Sequence, residues 1–334
     1  MEIRSLGKTG LKVTKLCLGT MTFGNQADKE TSFAILQRAV DAGVNFIDTA
    51  DVYPLGGGTD VAGATESIIG NWLKARGRRD DLVLASKCFG KMDDGANDQG
   101  LNRKHIMAAV EASLRRLQTD YLDLYQAHQF DESTPMEETL RAFDDLVEQG
   151  KVRYIGVSNW RAWQIAKANG IAERRNFVRI DSVQPRYNLL FRMIEEDLVP
   201  MAIDEGVGII SYNPLAGGML TGRYQKGTGV EEGTRFALKN QAGALYQERY
   251  WQEATFEVVD RYTKWCAERG YHPVTTAVAW VTQQPAITSA ILGASRPDQL
   301  DDSLRAAQLP PLSEDDLAWL DQLWFALPRR REFR

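Results

Sequence analysis

Short apolar runs alternate with amphipathic stretches along nearly the whole chain, and each pair reads as a strand followed by a helix. Glu2–Leu6 and Leu11–Thr14 bracket Gly7-Lys8-Thr9-Gly10, the pattern of a small hairpin with a glycine-containing turn. The first apolar run, Leu16–Leu18, ends in Gly19-Thr20-Met21. Residues 30–42 place Phe33, Leu36, Ala39 and Val40 at helical spacing and stop at Gly43. The second run opens VNFIDTADVY, residues 44–53. Its strand formers Val44, Phe46 and Ile47 give way abruptly to Asp48, Thr49, Ala50 and Asp51, then to Tyr53. The same alternation predicts further strands at Leu82–Lys87, Tyr121–Gln126, Val152–Val157, Ile180–Gln184, Val207–Tyr212 and Ser289–Leu292. Helices are expected near residues 65–76, 103–117, 136–149, 160–168, 194–205 and 297–307.

Eight strands joined by helical crossovers must run parallel, because a parallel pair needs a long connection. In 334 residues they fit one closed α/β barrel of the (β/α)8 (TIM) type, residues 1–334 forming a single domain. An open doubly wound sheet with a second domain is the competing arrangement. It lacks support: no Gly-x-Gly-x-x-Gly follows the first strand, and no Pro/Gly/Ser-rich linker divides the chain. Two stretches break the rhythm. Residues 216–250 carry seven glycines and read as a long covering loop. Residues 313–326 read as an extra C-terminal helix that starts at Ser313 and Glu314 and turns Leu317, Leu320, Leu323 and Trp324 to one face.

Composition narrows the function classes. Hydrophobic residues make up 43% of the chain and charged residues 25%, as in an ordinary globular protein. The net charge of −5, with no basic stripe beyond the Arg329–Arg331 tail, argues against nucleic acid as a partner. The N-terminus lacks the apolar run of a signal peptide, and no stretch approaches the ~18 apolar residues of a membrane span. Cys17, Cys88 and Cys266 are odd in number and far apart, which fits reduced thiols in a cytoplasmic protein. Three scattered histidines, His105, His128 and His272, make no close metal-ligand pair, so metal-dependent hydrolysis is poorly supported and no metal site is assigned.

In such a barrel the working groups gather where the strands end. The second strand ends in Asp48, with Tyr53 close behind. The third ends in Lys87, and the fourth leads to His128. Each alone is consistent with a structural role; together they make one proton chemistry easy. A tyrosine is a poor acid near neutral pH, with a pKa of about 10. A nearby lysine favours the phenolate and pulls that value down. An aspartate keeps the lysine charged and placed, and a histidine orients a substrate oxygen. A proton donor aimed at an oxygen that gains negative charge suits carbonyl reduction by hydride. Side chains cannot supply hydride, so a nicotinamide cofactor is implied.

These residues sit in longer motifs. GTMTFGN (19–25), FIDTADVY (46–53), ASK (85–87), DYLDLYQAH (120–128), GKVRYIGVSN (150–159), QPRYN (184–188) and YNPLAGGMLTGRY (212–224) follow one another in order. In them the chain resembles the aldo-keto reductases over residues 1 to about 308, in the bacterial branch similar to the potassium-channel β subunits. The resemblance implies a barrel that binds NADP(H) without a Rossmann domain and works as a carbonyl reductase or alcohol dehydrogenase. It implies Tyr53 as general acid, Lys87 lowering its pKa, Asp48 supporting the lysine and His128 orienting the carbonyl. For the cofactor it implies Ser158, Asn159 and Gln184 on the carboxamide, Tyr212 stacked on the nicotinamide, and Gly19, Thr20 and Met21 beneath, beside Asp48. Asn213, Pro214, Leu215 and Gly217 would line the pyrophosphate, with Arg223 and Arg235 closing over it. Gly293, Ser295, Gln299 and Asp302 would take the adenine side.

That last motif departs from the family pattern. ILGASRPDQLDDS carries Leu292, Asp302 and Ser303 where proline, glutamate and asparagine are usual, and the usual lysine for the 2′-phosphate is absent. Ser295 and Arg296 are the substitutes, since a guanidinium suits a phosphate. NADP(H) is therefore preferred and NAD(H) stays open. Phe23, Phe130 and Trp160, with Tyr125, are expected near the mouth beside Tyr53 and His128, as walls for a small carbonyl or alcohol substrate, sugar-type carbonyls included. The resemblance to channel subunits keeps one alternative open, a redox-sensing regulatory protein that holds the cofactor with little turnover. A homo-oligomer is left open as the assembly state.

Overall fold

The computed structural model describes residues 1–238 and 241–328, so the Arg329–Arg331 tail lies outside the described residues. Strands β1 (Ile3–Ser5) and β2 (Lys12–Thr14) pair as the expected antiparallel hairpin. The eight barrel strands are β3 (Leu16–Gly19), β4 (Phe46–Asp48), β5 (Val83–Cys88), β6 (Leu122–Ala127), β7 (Val152–Ser158), β8 (Ile180–Gln184), β9 (Gly208–Ser211) and β10 (Ile287–Gly293). They close in chain order, with β10 pairing back on β3, and every pairing is parallel. The sequence placed all eight within a few residues.

Helices α1 (Lys29–Asp41), α2 (Ala64–Arg76), α3 (Arg103–Leu117), α4 (Met136–Glu148), α5 (Ala162–Arg175) and α6 (Leu198–Glu205) follow successive strands. α7 (Gln241–Tyr250), α8 (Glu253–Arg269) and α9 (Pro273–Gln283) precede β10, and α10 (Gln299–Arg305) and α11 (Glu314–Phe325) follow it. Two helices differ from the sequence reading. α5 runs past Ala168 to Arg175: Gly170 sits where a side chain would meet nothing, and the left-handed cap falls on Asn176. The expected helix over 194–205 is split into a 3-10 turn, Met193–Glu195, and α6. Pro200 fits the first turn of α6, where an N–H is unsatisfied anyway, but would break a helix already running from 194.

The barrel interior is sorted by strand parity. Phe46, Val83, Ala85 and Leu124 form an inner cluster with Cys17, Ile210 and Ile291. The hairpin supplies Leu6 and Val13 to this cluster, and Lys8 donates to the Gly206 carbonyl just before β9, so the hairpin plugs the N-terminal end. Leu84, Cys88 and Tyr125 face the other way, into the helix layer. Because side chains alternate, the residues two beyond Phe46, Ala85 and Leu124 also point inward: Asp48, Lys87 and Gln126, with His128 next.

The described residues of 216–250 are more ordered than a loop. They contain 3-10 turns at Ala216–Thr221 and Arg235–Ala237 and the helix α7. Fully buried Phe236 packs between Tyr224 (5.1 Å) and Trp251 (4.9 Å), which gives this segment, the expected lid, an aromatic core of its own. α11 starts as expected at Ser313, in a capping box with Asp316, and stacks Trp319 on Trp265 of α8 at 4.7 Å. Among the described residues no helix is long and apolar enough to cross a membrane.

Candidate active site

Three consecutive strands bring the proton-active groups together. Lys87 Nζ lies 2.5 Å from Asp48 Oδ2 and donates to the Thr49 carbonyl at 2.8 Å, with both side chains buried. The Tyr53 ring lies 5.0 Å from Lys87 Nζ and meets the His128 ring edge-on at 5.7 Å. The loop that carries Tyr53 is pinned by main-chain bonds: Asp51 N–H to Lys87 O, Leu55 N–H to Met21 O, and Gly63 N–H to Tyr53 O. The structure thus gathers all four predicted catalytic residues at one end of the barrel, where β4, β5 and β6 finish.

Electrostatics assigns their protonation. Burial works against the Lys87 charge, but Asp48 and then Tyr53 outweigh it and hold its pKa above the ordinary lysine value. Burial pushes the Tyr53 phenol up, and Lys87 draws it only part of the way back. The lysine pull expected from sequence is therefore present but is the smaller effect. Burial, with Lys87 adding to it, drives His128 down to about 3, so its imidazole is neutral near physiological pH.

Two glutamines complete the aspartate's shell. Gln126 and Gln184 each donate an Nε2 hydrogen to Asp48 Oδ1, at 3.1 and 2.8 Å, and Gln184 also donates to Gln126 Oε1 at 3.2 Å. Sequence reasoning missed Gln126. Its signal was parity: it lies between Leu124 and His128 on the inward face of β6. Gln184, expected on the carboxamide, is engaged with Asp48.

Behind the Tyr53 loop lies a buried acidic pair. Asp51 is fully buried, and neither carboxylate oxygen has a hydrogen-bond partner among the described residues. Neighbouring Glu66 is held by Ser86 (2.5 Å) and Arg116 (2.7 Å). Burial, then the Glu66 charge, pushes the Asp51 pKa well up. A carboxyl raised in the folded state contributes stability that is complete below its unfolded pKa and is lost as pH rises towards the folded one. Asp51→Asn is expected to stabilise the fold by an amount that is small near pH 4 and grows by up to about 1.4 kcal/mol per pH unit above it. Urea unfolding from acid to neutral pH measures this, and a gap that does not change with pH contradicts it.

The expected cofactor residues form a partial ring. Tyr212 OH donates to Asn159 Oδ1 at 2.9 Å, Asn159 Nδ2 donates to Ser158 Oγ at 3.0 Å, and Ser158 Oγ donates to the Gln184 carbonyl at 2.9 Å. Asn213 and Gly217 are left-handed (φ +66° and +73°), and the Gly217 N–H donates to Asn213 Oδ1 at 2.6 Å. Arg235 reaches from the lid to exposed Gly293, where any Cβ would run into its guanidinium. Met21 is half-buried at the mouth, whereas Gly19 and Thr20 are buried beneath it, Thr20 donating to the Asp48 carbonyl at 2.9 Å. Buried Pro214 and half-buried Leu215 continue the stretch from Asn213.

Other expected contacts are engaged elsewhere. Arg223 pairs with Glu231 inside the lid. Gln299 accepts the N–H of Ser295 at 2.8 Å and bridges its own loop. Asp302 pairs with Arg305 at 2.7 Å. Exposed Arg296 leans on Asp298 at 3.3 Å.

On the expected substrate side, Phe130 packs edge-on against Trp160 at 4.9 Å; Trp160 itself is buried, at 4% exposed, and Trp163 stands 6.4 Å from Phe130 with 55% of its surface exposed. Trp163 was not anticipated, since it opens a helix and reads there as a surface residue. Two expectations are corrected. Phe23 is wholly buried in the outer core, and Tyr125 is wholly buried against Phe143 of α4. Parity turns Tyr125 to the helix layer, so neither presents surface to a bound molecule.

Comparison with known proteins identifies the family. The sequence model of the Aldo/keto reductase family matches residues 15–324. The chain is 40% identical to a protein of Bacillus subtilis (strain 168) named "Uncharacterized oxidoreductase YrpG", covering 97% of this chain and 96% of that one. It is 37% identical to a "Probable voltage-gated potassium channel subunit beta" of Arabidopsis thaliana, over 99% of each chain. It is also 37% identical to "Protein tas" of Escherichia coli (strain K12), over 96% and 97% of the two chains.

Proposed function

The chain belongs to the aldo/keto reductase family, an oxidoreductase family, and from that premise we propose an NADP(H)-dependent reductase of small aldehydes or ketones with Tyr53 as proton donor. The observation that carries this reading is the Asp48–Lys87 pair set beneath the Tyr53 ring, with neutral His128 alongside. The bound cofactor would supply the hydride. Tyr53 gives its proton to the carbonyl oxygen as that oxygen gains charge. Lys87 then faces the phenolate left behind and stabilises it, while Asp48, fixed by Gln126 and Gln184, keeps the ammonium in place. The neutral imidazole of His128 donates a ring N–H to the same oxygen. Phe130 and Trp163, backed by buried Trp160, favour substrates with an apolar or aromatic body.

The protein's groups suit a nicotinamide dinucleotide. The Tyr212 ring stands at the β9 end with the amide of Asn159 beside it, and Arg235 reaches to Gly293 at the β10 end. Preference for NADP(H) rests on Arg296 with Ser295: the Asp298 contact is long and exposed, so a 2′-phosphate would compete well for the guanidinium. Three free, buried thiols fit a reducing, cytoplasmic setting.

Absorbance loss of NADPH or NADH with a panel of aldehydes, ketones and keto-sugars tests the reading. Turnover of at least one carbonyl class is expected, with a KM for NADPH at least ~10-fold below that for NADH, the effect of one charged phosphate contact. The likeness to proteins named as probable potassium channel β subunits supports a second reading, a cofactor-holding redox sensor. Tight NADPH binding without oxidation by any member of the panel selects that one.

A further inference from the structure

We infer that Tyr250, in the lid helix α7, is a positioning residue for the bound cofactor: its hydroxyl locks the lid onto Asn213 and so sets the bed from Tyr212 to Gly217. The inference rests on the reading that the dinucleotide lies along this stretch.

Tyr250 is 2% exposed. Its hydroxyl accepts two amide hydrogens, from Asn188 Nδ2 at 3.0 Å and Asn213 Nδ2 at 3.1 Å. Asn188 Nδ2 also donates to the Asn213 carbonyl at 2.9 Å, and Asn188 Oδ1 is held by the Leu190 N–H at 2.9 Å. Three segments far apart in sequence therefore meet at one phenol: the turn after β8, the turn after β9, and the end of the lid. All three side chains are buried, so each bond is made out of water, and a missing partner leaves a buried donor unsatisfied.

Asn213 is where this matters. It is a non-glycine residue in the left-handed region, at φ +66°. Asparagine tolerates this region better than most residues, and its side-chain bonds select it here. Here the Asn213 amide spans two jobs, with Oδ1 accepting the Gly217 N–H at 2.6 Å while Nδ2 donates to Tyr250. The tilt of this one amide therefore aims the Gly217 backbone. It also carries the preceding residue, Tyr212, whose hydroxyl is bonded to Asn159.

The lid makes a second contact from the same helix face. Tyr246 lies four residues before Tyr250, hence on the same side of α7. Its ring, with that of Phe236, packs on Gly217 so closely that a Cβ there would sit 2.9 Å from Tyr246 and 3.2 Å from Phe236. Tyr246 supplies contact; Tyr250 supplies direction, because only the hydroxyl discriminates one placement of Asn213 from another. A lid that lifts must break both amide bonds to Tyr250, which ties cofactor exchange to the geometry of Asn213.

Tyr250→Phe keeps the ring and removes the hydroxyl. The Kd for NADPH, read by tryptophan fluorescence, is expected to rise about ten-fold, the cost of one unsatisfied buried amide. KM for NADPH should rise in parallel, with kcat at saturation within about two-fold. Trypsin should cut the lid at exposed Arg223 and Lys226 faster in the absence of cofactor. Asn188→Ala, which leaves the Tyr250–Asn213 bond intact, is the second variant and should shift Kd in the same direction by less. Tyr262→Phe is the control: Tyr262 is equally buried and donates to the Pro273 carbonyl at 2.6 Å, away from the mouth, so it should lower stability and leave Kd unchanged. Tyr250→Phe protein that binds NADPH within two-fold of wild type, or a Tyr262→Phe change of equal size, overturns this inference alone. Wild-type protein that does not bind NADPH at all overturns it together with the functional reading.

Discussion

Tyr53→Phe should lower the rate of carbonyl reduction about a thousand-fold, within the span of a general acid's contribution, while the Kd for NADPH stays within about two-fold. The substitution removes one oxygen and little else. The ring keeps its place above Lys87 at 5.0 Å and against His128 at 5.7 Å. The loop is held by the main-chain bonds of Asp51, Leu55 and Gly63, none of which involves the hydroxyl. Lys87 keeps Asp48 and the Thr49 carbonyl, so no buried charge is stranded. What is lost is the proton delivered to the substrate oxygen. The pH profile carries the second half of the prediction. Burial keeps the wild-type phenol protonated beyond its usual range, and His128 has been driven down to about 3. Reduction by the wild type should therefore be flat from about pH 6 to 9, with no inflection near the ordinary histidine value of about 6.5. A variant with near-normal turnover, or a wild-type inflection near 6.5, rules out these assignments.

The barrel was legible because its signal is local. Each strand is a short apolar run and each helix an amphipathic one, and eight repeats leave few topologies. Asp48, Lys87 and His128 were legible for a related reason: residues that follow buried strands must end at the same mouth. What the sequence hid depends on neighbours far along the chain. The parity that turns Gln126 inward and Tyr125 outward is written in the alternation of β6, but it acquires meaning only once β5 and β7 flank it. Phe23 follows the Gly19-Thr20-Met21 turn and reads as a mouth residue; α2 covers it, with Thr65 donating to its carbonyl at 2.7 Å. The lid read as loop because seven glycines dilute its helical pattern, and its order comes from Phe236, Tyr224 and Trp251 packing together across 27 positions, from 224 to 251. Tyr250 carries no local signal at all. A tyrosine ending an amphipathic stretch is unremarkable until Asn188 and Asn213 arrive at its hydroxyl.

Lys87→Met should damage both stability and catalysis, and a second substitution should separate the two. Taking away one member of a buried ion pair costs about 3–5 kcal/mol, because the other charge is left without compensation. Asp48 would then keep only the two glutamine amides, both on Oδ1, and Oδ2 would face an apolar side chain. The same variant should lose about 10²–10⁴-fold in reduction rate, since the phenolate formed at Tyr53 no longer has a cation 5.0 Å from its ring. Adding Asp48→Asn removes the stranded charge. Its Oδ1 can still accept from Gln126 and Gln184, so the glutamine arrangement survives. The double variant should recover most of the lost unfolding free energy and none of the lost rate. Urea denaturation beside single-turnover reduction reads the two quantities independently. Joint recovery would mean that the lysine acts only by holding the fold; joint failure would mean that the glutamines cannot place residue 48 without it. Recovery of stability alone is the outcome expected of a lysine whose charge is there for Tyr53.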